Sequence, residues 1–367
     1  MQENAVSTKD ATAGLSETSP VFEEKGFCAV LQGTETRKKA SRNVADFIGM
    51  INTAQVAWID FIVEDFDREA FAIAKSLGFT ELLVRNLLKD PKGGYEDFEN
   101  EMGLLVPAIH IKGFEVVIDM LLILISEKVI VTLHTTEVKR FFRVRRYAET
   151  LLRKIPSKKL QKDKITHLLI RIIDENNTKN FDYLRGIEEQ GDRLSKELAD
   201  PKSSREIIGP RIYDMKHALI VYLGGLWATV DTLNALRYGD AELLTDDPKI
   251  LNRINGLIGE VNSQIGLAEH LSEVLASGLE VLQSIYNNQL QLLNNRLALL
   301  VAYLTIIGTA LLVPNTIATV AGNPAFSFTS ADLPWYLATI GLSTILATIV
   351  SWWAVRRMGL LPKTADA

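Results

Sequence analysis

The sequence predicts a mostly α-helical membrane protein of α+β class. A cytoplasmic α/β domain comes first, and a long stalk helix then continues into the first of two C-terminal transmembrane helices. Three observations carry this. Residues 297–320 (LALLVAYLTIIGTALLVPNTIATV) and 335–355 (WYLATIGLSTILATIVSWWAV) hold no charged side chain, and about 20 apolar residues are enough for a helix to cross a bilayer core. Ahead of them, residues 249–296 repeat apolar side chains at intervals of three and four, the helical period. Earlier still, short β-branched and aromatic runs mark strands.

The two apolar runs make a hairpin. Their connection, AGNPAFSFTSADLP, contains Gly322, Asn323, Pro324 and Pro334, all helix breakers. Arg296 precedes the first run, Arg356, Arg357 and Lys363 follow the second, and the connection holds no Lys or Arg. By the positive-inside rule both termini are then cytoplasmic and the Asn323 loop faces outward. Trp335 and Tyr336 at one end of the second run, and Trp352 and Trp353 at the other, lie where an aromatic belt anchors a span. The chain is expected in the cell membrane as a multi-pass protein.

Of the 367 residues, 47% are hydrophobic and 23% charged, with a net charge of −5. The hydrophobic surplus lies in the last quarter, so the earlier part has the composition of an ordinary soluble protein. An acidic balance argues against nucleic acid as partner. The single cysteine, Cys28, excludes an intrachain disulfide and a cysteine zinc cluster. Residues 1–25 are polar and without apolar periodicity, so the first span is expected to direct insertion.

Taken in order, the chain reads as a disordered tail (1–25), a cytoplasmic α/β and helical domain (26–248), a stalk (249–296), transmembrane helix 1 (297–323), an outer loop (324–334), transmembrane helix 2 (335–355) and a cytoplasmic tail (356–367). Alternation from Phe27 onward, then Val56–Val63 and Val129–His134, predict strands, and Leu104–Ile111 with Val116–Ile125 predict a hairpin around Lys112-Gly113. Asp67–Lys89 has helical spacing. From Thr136 the pattern is helical. Residues 138–154, with Lys139, Arg140, Arg143, Arg145 and Arg146, read as a helix with a solvated basic face rather than an anion site. Helices follow at Lys164–Asp174, Phe181–Leu198 and Glu206–Tyr238. The stalk begins near Lys249 with no proline before Pro314. If continuous to Val320 it extends about 100 Å, and its apolar stripe calls for a partner, hence coiled self-association.

Enzyme chemistry is missing from the pattern. His110, His134, His167, His217 and His270 show no metal-ligand spacing, and there is no phosphate-loop or nucleophile-elbow motif. Gly93-Gly94 and Gly224-Gly225 are too isolated to mark nucleotide sites. The first span carries the more specific signal. Asn294, Ala298, Val301, Thr305, Thr309, Leu312, Thr316, Thr319 and Asn323 fall close to one helix face. Two readings stand: the threonines bond their own i−4 carbonyls, or several copies surround a water-filled path.

Trp58-Ile59-Asp60, Leu77-Gly78-Phe79, Pro91-Lys92 and Tyr95-Glu96-Asp97-Phe98, then Ser277-Gly278-Leu279-Glu280, Asn294-Asn295-Arg296-Leu297 and Leu304-Thr305-Ile306-Ile307, together resemble the CorA family of divalent-cation channels over about residues 55–358. The resemblance implies a homopentamer whose first membrane helices line a pore, whose second helices ring them, and whose cytoplasmic domains sense the ion. Two departures stand out. The family has Gly-Met-Asn at the outer end of the first span, where this chain has Ala321-Gly322-Asn323. The family's acidic pair after the first strand and helix is replaced by Arg85-Asn86, leaving Asp246, Asp247, Glu260 and Glu280 as a substitute regulatory set.

The expected function is therefore a divalent-cation channel for Mg²⁺, with Co²⁺, Ni²⁺ or Zn²⁺ as other ions. The metal is the transported ion, not a catalytic cofactor. Thr305, Thr309, Leu312, Thr316, Gly322 and Asn323 would line and select, and Asn323, with Asp332 and Glu280, would contact the metal. Mg²⁺ loses water reluctantly, so neutral amide and hydroxyl oxygens suit its passage better than a carboxylate cage. The rival reading is a membrane-anchored cytoplasmic scaffold or metal sensor.

Overall fold

The computed structural model describes residues 24–89, 94–112, 115–156, 159–200, 205–239, 241–323, 329 and 331–357. The tail predicted over 1–25 falls almost wholly outside them, as do the hairpin turn at Gly113 and most of the predicted outer loop and C-terminal tail. The chain divides into two compact units, Met1–Leu279 and Glu280–Ala367.

The first unit is built on a seven-stranded sheet. Its strands are β1 (Gly26–Gln32), β2 (Glu35–Ser41), β3 (Val56–Ile62), β4 (Gly94–Phe98), β5 (Glu101–Lys112), β6 (Glu115–Ser126) and β7 (Val129–His134), in the order β2-β1-β3-β7-β6-β5-β4. Only β3 and β7 pair in parallel, with Trp58 opposite Ile130 and Asp60 opposite Thr132. The expected hairpin is present: Ile111 pairs with Val116 and Lys112 with Glu115. The sequence reading did not resolve β2, β4 or α1 (Ala45–Asn52). β2 reads ETRKKAS, a charged edge strand without the β-branched signature.

Alternation along β3 explains the layering. Ala57, Ile59 and Phe61 face a core shared with Phe47 of α1, Ile73 and Ala74 of α2 (Phe71–Ser76), and Leu83, Val84 and Leu87 of α3 (Glu81–Lys89). The single helix expected over Asp67–Lys89 is thus corrected to a wide turn at Phe66–Ala70 followed by two helices. Gly78, at a φ of 91°, separates them with a backbone conformation that ends a helix. Cys28 lies in this same core, where burial pushes its thiol up to about 12 and leaves it inert as a ligand.

Trp58 and Asp60 point to the opposite face, under α4 (Arg140–Arg153). Here the expectation of a solvated basic face is corrected in part. Arg143 and Arg146 are exposed, but Arg145 is wholly buried and Arg140 nearly so. Arg145 donates from Nε to Asp60 Oδ2 at 2.6 Å and from Nη1 to the Glu24 carbonyl at 2.6 Å. Asp60 also accepts from Thr132 Oγ1, and His134 Nε2 lies 3.3 Å from it. The charge belongs inside because its partner is there.

The remaining helices are α5 (Gln161–Asn177), α6 (Asn180–Ala199), α7 (Arg205–Tyr238), α8 (Pro248–Ala321) and α9 (Leu333–Arg357). α7 is long and apolar enough to cross a membrane by length and composition, yet it packs on β5 and β6. A Cβ at Gly225 would sit 2.9 Å from Ile109 Cδ1 and 3.1 Å from Ile118 Cδ1, so the missing side chain sets how closely this helix lies on the sheet. Of the isolated Gly224-Gly225 pair, only Gly225 has this role, since a Cβ at Gly224 would meet nothing within 4 Å.

α8 starts in the first unit, where Asp247 accepts from the Lys249 N–H at 2.9 Å and from Lys159 Nζ at 2.8 Å. The apolar stripe of α8 is covered in part within one chain, while Val274 on it stays exposed. Ile250, Ile254, Leu257, Val261, Ile265, Leu271 and Leu275 are all buried within the single chain. Gln264 of α8 meets Asn180 of α6 at 3.2 Å. From Leu290 onward the large apolar side chains of α8 are mostly exposed.

Candidate ion pathway

The second unit contains the uncharged part of α8 and all of α9. Both helices are long and apolar enough to cross a membrane. Ala302 on α8 and Ala347, Ser351 and Val355 on α9 are buried, and small residues of this kind let membrane helices approach closely. Toward the C-terminal end of α8, a cleft of about 360 Å³ is lined by Thr316, Ile317, Val320 and Ala321 from α8 and Trp335, Tyr336 and Thr339 from α9. At the far end of α9, the Arg356 and Arg357 guanidinium groups lie 5.1 Å from the ring centres of Trp352 and Trp353, an amphipathic arrangement suited to the headgroup level.

The threonines of α8 resolve the first of the two readings. Thr305 donates to the Val301 carbonyl at 2.8 Å, Thr309 to Thr305 at 2.8 Å, Thr316 to Leu312 at 2.8 Å and Thr319 to Asn315 at 2.7 Å. Each hydroxyl has one proton to give and two lone pairs. With every proton turned into the helix, the oxygens retain only acceptor character toward the outside. Thr305, Thr316 and Thr319 are exposed, as is Leu312, and Thr309 is half-buried. A column of neutral acceptors without donors favours cations and hydrating water over anions. Pro314 adds to this, because its missing N–H leaves the Ala310 carbonyl without a backbone partner four residues on.

At the end of α8 the structure corrects one expectation. Gly322, read from the sequence as a helix breaker, does not take the left-handed conformation that favours glycine, and its N–H bonds the Ala318 carbonyl at 2.9 Å. Asn323 follows with its N–H on the Val320 carbonyl at 3.2 Å and is exposed. The helix thus ends at Ala321 and tightens into a turn through Gly322 and Asn323, two common helix terminators.

Asp332 holds the start of α9. Its Oδ2 accepts from the Thr329 N–H at 2.9 Å and from Thr329 Oγ1 at 2.7 Å, while its own N–H returns to the Thr329 carbonyl at 3.0 Å. The Thr329 N–H, followed by its hydroxyl, holds the Asp332 carboxyl below the usual carboxylate range. Glu280 is an exposed residue of α8. Among the described residues no three His, Cys, Asp or Glu side chains gather into a metal cage. In the first unit Arg85 pairs with Glu81 at 2.7 Å on its own helix, and Asn86 donates to Glu96 at 3.4 Å. Of the substitute acids, Asp247 is engaged by Lys159, and burial followed by the nearby Asp174 raises the Glu260 carboxyl.

A family model described as CorA-like Mg2+ transporter protein matches residues 53–357, from the sheet through both apolar helices. The chain belongs to that family. Its members are ion transporters rather than enzymes, so this is a membrane transporter of the divalent-cation class. The complete CorA magnesium transporter of Methanocaldococcus jannaschii superposes with a TM-score of 0.66 at 18% identity, covering 92% of this chain and 98% of that one. The full-length CmaX protein superposes with a TM-score of 0.64 at 13% identity, covering 91% and 98%. At these identities the likeness is one of fold. No curated protein sequence matches the chain.

Sequence reasoning missed the buried Asp60–Arg145–His134 cluster. Its only sign was an acid in the middle of the apolar strand VAWIDFIV. It missed also that the hydroxyls of α9 bond internally, with Thr339 on the Trp335 carbonyl at 2.9 Å and Thr344 on that of Ile340 at 2.8 Å.

Proposed function

We propose that the chain is the protomer of a homopentameric channel that passes hydrated Mg²⁺, with Co²⁺, Ni²⁺ and Zn²⁺ as competing ions. In this reading residues 297–323 line the axis and α9 rings them. Thr305, Thr309 and Thr316 offer hydroxyl oxygens to the water shell, and Leu312 forms an apolar constriction. Asn323 after Gly322 presents a ring of amide oxygens at the outer mouth, to which Asp332 adds negative potential. Both termini and the first unit are cytoplasmic, and Glu280 on the stalk faces the ion on its way in.

The observation that carries the reading is the family match running unbroken through both spans to Arg357. A scaffold or sensor tethered by its hairpin would need no such agreement in the membrane part. The acceptor-only threonine column gives physical support, because a hydrated Mg²⁺ presents water hydrogens to its surroundings and keeps its shell where neutral oxygens receive them. Purified protein in liposomes, tested for uptake of Mg²⁺, Co²⁺, Ni²⁺ and Zn²⁺, tests it. Saturable Mg²⁺ flux is expected, and absence of flux for all four ions in assembled protein overturns the channel reading.

A further inference from the structure

The first unit contains a cavity of about 310 Å³ that the ion pathway does not use, walled by α4, α5 and α8. Lys154, Arg171, Arg253, His167, Tyr147 and Thr150 supply its polar lining, and no described Asp or Glu lines it. Lys154, Arg171 and Arg253 are exposed, so the hollow opens to solvent. Arg171 is already held by Asp174 at 2.8 Å and Glu175 at 3.4 Å. Lys154 and Arg253 are in a different condition. Among the described residues, neither has a carboxylate within salt-bridge distance.

Arg253 shows most clearly what the cavity lacks. A guanidinium is always a donor, and here its Nη1 lies 3.0 Å from His167 Nδ1, so the imidazole receives the bond on an unprotonated nitrogen. Burial, then the nearby Arg253 charge and that of Lys159, holds the His167 pKa below its usual value, which keeps the ring neutral. A guanidinium therefore rests on a weak neutral acceptor, with the Asp174 charge near it but outside salt-bridge distance, and Lys154 lines the same cavity with no carboxylate in salt-bridge range among the described residues. The fork of Arg and the ammonium of Lys suit tetrahedral oxyanions, and the Thr150 hydroxyl can donate to the same ligand. The volume lies at the lower end for small-molecule sites, about 300–1,000 Å³.

We propose that this cavity binds a soluble phosphate-bearing anion, of pyrophosphate to nucleotide size, and that the anion regulates transport by tying the start of α8 to α4 and α5. Lys154 directly follows the last residue of α4, Arg171 lies on α5 and Arg253 on α8. One ligand bridging Lys154 and Arg253 adds an anion between two cations that have none within salt-bridge distance, and α8 is the helix that carries the candidate pore residues. The regulatory half rests on the channel reading; the binding half does not.

Calorimetry of the full chain in detergent with sodium pyrophosphate and with ATP, without Mg²⁺, tests the binding. Wild type is expected to bind at least one with Kd below about 1 mM. Lys154→Ala and Arg253→Gln should each weaken it at least about tenfold, the loss of one charge-assisted contact, whereas Arg146→Ala, on the exposed face of α4, should not. No binding of either probe overturns the proposal. So does unchanged binding by both cavity variants, or an equal loss with Arg146→Ala, which would mean general charge attraction. In liposomes with free Mg²⁺ buffered at one value, the bound anion should change ion flux in wild type and not in Lys154→Ala. Binding with no effect on an active channel overturns the regulatory half, while an absence of flux under every condition counts against the channel reading instead.

Discussion

Arg145 donates to Asp60 at 2.6 Å in a place where neither side chain reaches solvent, so a helix and a central strand are joined by a buried ion pair. Removing one partner of such a pair leaves the other charge uncompensated, at a cost of about 3–5 kcal/mol. Arg145→Ala should accordingly lower the thermal midpoint of the first unit by many degrees. Arg143→Ala, whose side chain is half exposed and 4.0 Å from Glu175, should cost about 1 kcal/mol or less. Comparable losses from the two variants would refute the assignment.

The same pair sets a pH dependence. Burial on its own would raise the Asp60 carboxyl, but the Arg145 charge, then that of His134, and the hydrogen bonds from His134 and Thr132 outweigh it and hold the pKa well below the ordinary carboxylate range. With the folded value depressed, the stabilisation is complete above the unfolded pKa of about 3.9 and is lost as pH falls toward the folded value. The difference in thermal midpoint between wild type and Asp60→Asn should therefore stay constant from neutrality down to about pH 5 and shrink only below about pH 4. A difference that grows on acidification would contradict the sign.

Oligomeric state is the direct test of the pore. Most of the stripe from Ile250 to Leu275 is buried inside one chain but Val274 is exposed, so the demand for neighbours falls on Val274, on the exposed apolar surface beyond Leu290 and on the threonine column. Native mass spectrometry in mild detergent should show a pentamer. A stable monomer would leave the column facing lipid, which offers no donor to the hydroxyl oxygens.

Regulation by cytoplasmic Mg²⁺ is expected to be weak. Arg85 and Asn86 stand where the family resemblance places acids, and each already satisfies an acid of its own unit, Glu81 and Glu96. Millimolar Mg²⁺ should protect the first unit little against proteolysis, and Arg85→Glu should increase that protection. Strong protection of wild type, unaltered by Arg85→Glu, would rule this out.

At the outer mouth, Asn323→Ala should nearly abolish ion uptake while leaving the oligomer intact. Asp332→Asn should only slow it, since an asparagine oxygen can still accept from Thr329 and preserve the turn into α9. Full transport by correctly assembled Asn323→Ala would remove Asn323 from the selectivity role.

Gly225→Val tests helix-on-sheet packing. A side chain there meets Ile109 and Ile118 at contact distances too short for carbon, and overpacking of this sort costs about 1–3 kcal/mol. A thermal midpoint equal to wild type would show that α7 can lift off the sheet without penalty.

By itself the sequence determined the two spans, the helical period ahead of them, the β5–β6 hairpin and the enclosed strands β3 and β7. These rest on local pattern: twenty uncharged residues admit few environments, and a β-branched run pairs wherever it is placed. The family resemblance likewise rested on motifs in sequence order. Tertiary structure decided what depends on residues distant in the chain. Arg145 reads as solvated among its four basic neighbours until Asp60, far earlier in sequence, is brought beneath it. The apolar stripe of α8 reads as a surface for another copy, yet most of it from Ile250 to Leu275 is buried within the chain, where Gln264 meets Asn180 of α6. Lys154, Arg171 and Arg253 look like ordinary surface charges, and only the packing of three helices sets them around one hollow. Periodicity records which face of an element is apolar, but only the fold determines what that face meets.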